Sequence, residues 1–114
     1  MASLSLYDAT GQARAVVGVD ESGTPLLSLF NSAGQRRLSA VVQGDDALVV
    51  VGDERVMTGV YGVLGGMPLL SFTNAGQSRA RLQLGQDGSP TFGLFGPDGA
   101  QSVALTVDAV GAPL

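Results

Sequence analysis

All six basic residues of the chain are arginines, Arg14, Arg36, Arg37, Arg55, Arg79 and Arg81, and lysine is absent. Four of them, Arg14, Arg37, Arg55 and Arg79, recur just after a short polar turn. A column of guanidinium groups has the planar donor fork that grips carboxylates or phosphates. A structural role carries more weight. Turn acids such as Asp8, Asp20 and Asp53 are available as ion-pair partners, and a sheet surface offers a bed for the apolar stem. The acids are the second candidate, because Asp20-Glu21, Asp45-Asp46, Asp53-Glu54 and Asp87 lie in turns, where oxygen-rich loops can hold calcium. Calcium takes about six to eight oxygens, and no EF-hand register or glycine-rich nonapeptide run is present, so turn formation accounts for these acids better. The third is GVYGVLGG at 59–66. It lacks the closing Lys-Ser or Lys-Thr of a phosphate loop and any helix to follow it.

Catalysis has little to work with. Histidine and cysteine are absent along with lysine, so no side chain has an ordinary pKa near neutrality and the serines have no usual activating base. The expectation is a non-enzyme with no catalytic, cofactor or metal site. Charged residues make only 14% of the chain against 45% hydrophobic, and the net charge is −4, which excludes the clustered cationic face that nucleic acid requires. Without cysteine there are no disulfide staples and no thiolate metal sites, and the redox compartment is left open. The opening MASLSLYDATGQAR has neither a basic stretch nor a long apolar one, so no secretory signal is expected, and no run approaches the length of a spanning helix.

The elements that carry these residues follow from a spacing. Pro25, Pro68, Pro90 and Pro113 mark a period near 22 residues, and LLSLFNSAGQRRLSAVVQGDDA at 26–47 is answered by LLSFTNAGQSRARLQLGQDGSP at 69–90. This divides one domain, 1–114, into five units at 3–25, 26–47, 48–68, 69–90 and 91–113. Each opens with an alternating run, Leu4 and Leu6, Leu27 and Leu29, Val49 and Val51, Leu70 and Phe72, Phe92 and Leu94, and alternation means strand. A turn follows, spelled DATG, NSAG, GDER, NAG or GPDG. A second alternating run then closes the hairpin: Ala15, Val17 and Val19, then Leu38, Ala40 and Val42, then Val56, Thr58 and Val60, then Ala80, Leu82 and Leu84, then Val103, Leu105 and Val107. The short links DESGTP, QGDDA, GGMP, QDGSP and DAVGAP permit only antiparallel neighbours. In the third unit Gly59 and Gly62 interrupt the second strand, which places a bulge or a close backbone approach at the middle of the array.

The unit [DN]-x-x-G-x-x-R-x-x-L closed by D-G-x-P resembles tandem repeats of uncharacterised bacterial proteins. Asp8, Gly11 and Arg14 match it, as do Asn31, Gly34 and Arg37, and the closing Asp87, Gly88 and Pro90. The fifth unit departs with Ser102 in place of the arginine, and the third loses the turn spacing. The resemblance spans the whole chain but implies no activity, because its motif is largely turn grammar.

The fold expected is all-β: five tandem hairpins in a ten-stranded antiparallel meander, with one face almost wholly apolar. Burying one Leu or Val is worth roughly 1.5–3 kcal/mol, so a single layer leaves a large driving force unspent. Two ways of satisfying it are open. In the first, copies stack as a homo-oligomer or fibre-like structural assembly, using also the second face, where Tyr7, Phe30, Val50, Phe95, Leu26, Leu48 and Leu69 form the expected interaction surface. In the second, the meander closes into an up-and-down barrel whose lumen, lined by residues such as Leu6, Val17, Leu29 and Phe72, takes an apolar small molecule. Membrane insertion is the lesser reading, because the strands fall short of the nine to eleven residues, roughly, of a spanning strand.

Overall fold

The computed structural model describes residues 2–53 and 55–107. Glu54 and the closing turn with Pro113, both named above, lie outside the described residues. The described chain forms ten strands: β1 (Ala2–Tyr7), β2 (Ala13–Val19), β3 (Pro25–Phe30), β4 (Arg36–Gln43), β5 (Asp46–Gly52), β6 (Met57–Leu64), β7 (Met67–Asn74), β8 (Gln77–Leu84), β9 (Pro90–Phe95) and β10 (Gln101–Thr106). They lie in one sheet in sequence order, every neighbour antiparallel. Among the described residues there is no helix. Runs rich in Val, Leu and Phe, alternating and bounded by glycine turns, leave the backbone no better option.

Eight of the turns fall into two kinds, the connection from β5 to β6 standing apart with Val56 donating to the carbonyl of Asp53. In five of them a residue X accepts a hydrogen bond from the glycine three places on and donates to the carbonyl four places on: Asp8 with Gly11 and Gln12, Asp20 with Gly23 and Thr24, Asn31 with Gly34 and Gln35, Gly85 with Gly88 and Ser89, Gly96 with Gly99 and Ala100. Each of those turn-closing glycines has φ between 79° and 87°, the left-handed region that a side chain disfavours. The others are tighter. Two residues link β4 to β5, β6 to β7 and β7 to β8, the last through Ala75 (φ 53°) and Gly76.

Four hairpins are bulged beside their turns, and the residue left without a cross-strand partner is a recurring one. Leu6 and Tyr7 face Ala15 and Ala13, leaving Arg14 over. Leu29 and Phe30 face Leu38 and Arg36, leaving Arg37. Phe72 and Thr73 face Ala80 and Ser78, leaving Arg79, and in β9–β10 the extra residue is Ser102. A bulge breaks the alternation and frees the extra side chain to reach sideways. Arg14 donates from Nε to the carbonyl of Phe30 at 2.9 Å, and Arg79 donates to that of Phe95 at 2.8 Å. Arg14 and Arg79 thus tie the end of one hairpin to the strand that begins the next, whereas Arg37 donates within its own turn region, to the carbonyl of Arg36 and the side chain of Gln35.

The sheet does not close. β1 pairs only with β2 and β10 only with β9, which overturns the barrel and its lumen. Ten strands roughly 4.8 Å apart span about 43 Å before side chains are added, and the molecule measures 55 × 29 × 20 Å, as a sheet laid open would. Its radius of gyration is 17.3 Å, against about 13 Å for a compact domain of this length.

The third unit differs in phase from the sequence expectation. Val51 pairs with Gly59 and Val49 with Tyr61, so Gly59, Tyr61 and Val63 take the apolar face while Thr58 and Val60 take the other. Val56 falls in the connection. A one-residue shift in loop length moves every side chain of a strand to the opposite face. No bulge interrupts β5–β6 or β6–β7. Only Gly62 serves close approach: a Cβ there would overlap the carbonyl oxygen of Ala47 and the side chain of Leu48, whereas a Cβ at Gly59 would only touch the ring of Phe72 at ordinary contact distance.

Candidate interaction surface

Register sorts the side chains into rows that cross the sheet. On the first face one row runs Leu4, Val17, Leu27, Ala40, Val49, Tyr61, Leu70, Leu82, Phe92, Leu105. A second runs Leu6, Ala15, Leu29, Leu38, Val51, Gly59, Phe72, Ala80, Leu94, Val103. A third, on the far side of the first, includes Val19, Pro25, Val42, Ala47, Val63, Leu84 and Pro90. These rows hold no charge, and the only polar side-chain group in them is the hydroxyl of Tyr61.

Nothing covers this face in the single chain. No hydrophobic residue among those described is buried. Leu4 is 64% exposed, Tyr61 64%, Leu105 62% and Phe72 54%, so the apolar face is open from one edge to the other. Between its first and third rows a shallow trough of about 770 Å³ crosses β1 to β6, walled by residues such as Val19, Leu27, Val42 and Val49.

The second face carries every residue expected from sequence to form the contact. Leu26, Leu48 and Leu69 share one row with Val41 and Gly62, so these three are brought together. Val50 lies in the adjacent row with Ser28, Ser39, Val60 and Ser71. Tyr7 and Phe30 stand two strands apart at the bulged ends of β1 and β3, whereas Phe95, at the bulged end of β9, lies six strands beyond Phe30. Of the seven, only Tyr7 is largely exposed, and the rest are part-covered by their neighbours. The polar half of this face is self-satisfied in places. The hydroxyls of Thr58 and Thr73 meet across β6 and β7, and Ser71 meets Ser78 at 3.0 Å. Arg81 donates to Ser78 at 2.8 Å and lies 5.9 Å from the ring centre of Phe95, while its Nε is buried without a partner among the described residues.

Asp8, Asp20, Asp53 and Asp87, singled out for chemistry, are engaged within their turns. The Asp8 carboxylate accepts from the hydroxyl and the N–H of Thr10 and from the N–H of Gln12, and that of Asp20 does the same with Ser22 and Thr24. Asp53 accepts from the N–H of Arg55 and Asp87 from that of Ser89. These bonds hold all four carboxyls below their ordinary pKa; the Thr10 hydroxyl leads for Asp8, the Ser22 hydroxyl for Asp20, and the backbone N–H leads for Asp53 and Asp87. Arg14 lies 3.6 Å from Asp8, and Arg37 and Arg55 lie 3.8 and 3.6 Å from Asp53. Asp46 reaches across to the N–H of Gly65 at 2.8 Å, joining two neighbouring turns. Among the described residues no three acids gather as metal ligands would, and no helix is long and apolar enough to cross a membrane.

Sequence reasoning leaves the first face two fates, a lumen or a contact between copies, and the residues it names as the interaction surface all lie on the second face. The signal is present in the unbroken apolar alternation; what the sequence lacks is any sign that the sheet stays open. No family model matches the chain, and no curated protein matches it.

Proposed function

We propose that this chain is a structural interaction module that works by self-association, burying its apolar first face against further copies, and that it is not an enzyme. The observation that carries the reading is an uncharged face crossing all ten strands with no hydrophobic residue buried among those described. The chain exposes 7391 Å², whereas a compact monomer of 11.5 kDa exposes about 5,800 Å². That surplus is about twice the roughly 800 Å² that each partner contributes to an ordinary stable interface. A contiguous apolar face left open across a whole sheet is a contact surface or an aggregation hazard. The strip Leu26, Val41, Leu48, Leu69 on the second face offers a further contact that a fibre-like stack of more than two copies would use. The absence of histidine, cysteine and lysine supports the non-catalytic part of the reading.

An apolar small molecule in the trough is the second reading, supported by its volume of about 770 Å³. Pockets for such ligands usually enclose most of the ligand, which a trough on an open sheet does not. Phe72→Asp separates face-driven association from the rest. Phe72 is half-exposed in the single chain, so the strands should stay intact by circular dichroism while light scattering shows the mass falling to 11.5 kDa from at least twice that in the parent. A parent that is already a folded 11.5 kDa species defeats the reading.

A further inference from the structure

The first face is unequal along its length. In the row that runs from Leu4 to Leu105, the part on β6 to β10 is Tyr61, Leu70, Leu82, Phe92 and Leu105, every one large. The part on β1 to β5 is Leu4, Val17, Leu27, Ala40 and Val49, mixed in size, and here the trough opens beside it, with Tyr61 of β6 on its far wall. The second row is mixed throughout, with Leu6, Leu29 and Leu38 on one side and Phe72 and Leu94 on the other, but no aromatic residue stands on the first face of β1 to β5. Along the first row the β7 to β10 part therefore makes a ridge, and beside the same row over β1 to β6 lies the hollow, both running across the strands.

Resting on the self-association proposed above, we infer that the partner is one second copy, turned about a two-fold axis near β5 and β6, so that the ridge of each chain fills the trough of the other. Three observations favour this occupant. A face without charge needs an uncharged partner, and this chain presents one. A two-fold contact must be self-complementary, which a surface with a ridge on one half and a hollow on the other satisfies twice over. Aligned stacking of two sheets about 10 Å apart then interleaves large side chains with small ones, which is how sandwich cores reach close packing.

The test uses two charge variants of the full chain, Val42→Arg in the trough and Leu82→Glu on the ridge. Both positions are close to half exposed in the single chain, so each variant should keep the β signal of the parent. Alone, each buries unpaired like charges in its homodimer and should weaken it by about 100-fold or more, eluting as an 11.5 kDa species. Mixed in equal amounts they should regain twice that mass. One contact of the heterodimer then sets the introduced guanidinium of one chain beside the introduced carboxylate of the other, and the second contact is unaltered. A size swap, Val42→Phe with Leu82→Ala, applies the same logic without charge. Variants that lose the dimer singly but do not recover it on mixing overturn the ridge-in-trough pairing and leave self-association standing. Variants that each keep the parent mass overturn the pairing as well. A parent that is itself monomeric removes the self-association on which the pairing rests.

Discussion

The arginine of the motif does its work as the extra residue of a bulge. Arg14 and Arg79 each donate Nε–H to a carbonyl of the next strand pair, with the planar guanidinium fixing the direction of the donor. Arg79→Ala should cost about 1–2 kcal/mol in urea unfolding, and Arg79→Lys should recover little of it, because lysine has no donor at the Nε position. Ala75 is the one described non-glycine residue with positive φ, in a two-residue turn that favours asparagine or glycine there. Ala75→Gly is expected to raise stability by about 1 kcal/mol, read as a shift in the urea midpoint at unchanged slope. The acids make a prediction of the other kind. Asp8, Asp20, Asp53 and Asp87 have folded pKa values below their unfolded ones, so the folded state binds fewer protons on these groups in acid. Their contribution is complete above the ordinary carboxylate value, about 3.9 for aspartate, and is lost as pH falls through the lowered folded values. Thermal unfolding temperature should therefore stay flat from neutrality down to about pH 5 and drop below about pH 4.

At the scale of elements, alternation made all ten strands legible, and the glycine-closed turns fixed their antiparallel order. Face assignment was legible wherever a turn kept its length. It failed in β6, because the parity of the connection after Gly52, not the composition of the strand, decides whether Thr58 or Gly59 faces the apolar side. The bulges were not legible either, since an unpaired residue is a relation between two strands and Arg14 looks the same in either register. Gly62 shows what the central strands require. Its absent Cβ is the space in which Ala47 and Leu48 of the neighbouring strand sit. Gly62→Val should destabilise the sheet by about 2 kcal/mol or more, and hydrogen exchange should find the loss concentrated in β5 and β6.

For the whole molecule, composition gave the shortage of charge and periodicity gave the apolar face, but neither carries the one long-range fact that matters, whether β10 returns to β1. It does not, and so the residues that would have lined a lumen become the outer surface of a sheet 55 Å long. The residues named from sequence as the contact all lie on the second face, where Leu26, Leu48 and Leu69 align, while the larger continuous apolar surface lies on the opposite face. A single layer with no buried hydrophobic residue among those described gains little of the stabilisation that burial provides, since interior contacts supply most of a domain's stability. Assembly and folding are then expected to be linked, with unfolding midpoints that rise with protein concentration. Sedimentation equilibrium of the unmodified chain at micromolar concentration, with circular dichroism on the same sample, tests this most directly. The account predicts a β-rich species of at least twice 11.5 kDa; a β-rich species sedimenting at 11.5 kDa across the concentration range would contradict it.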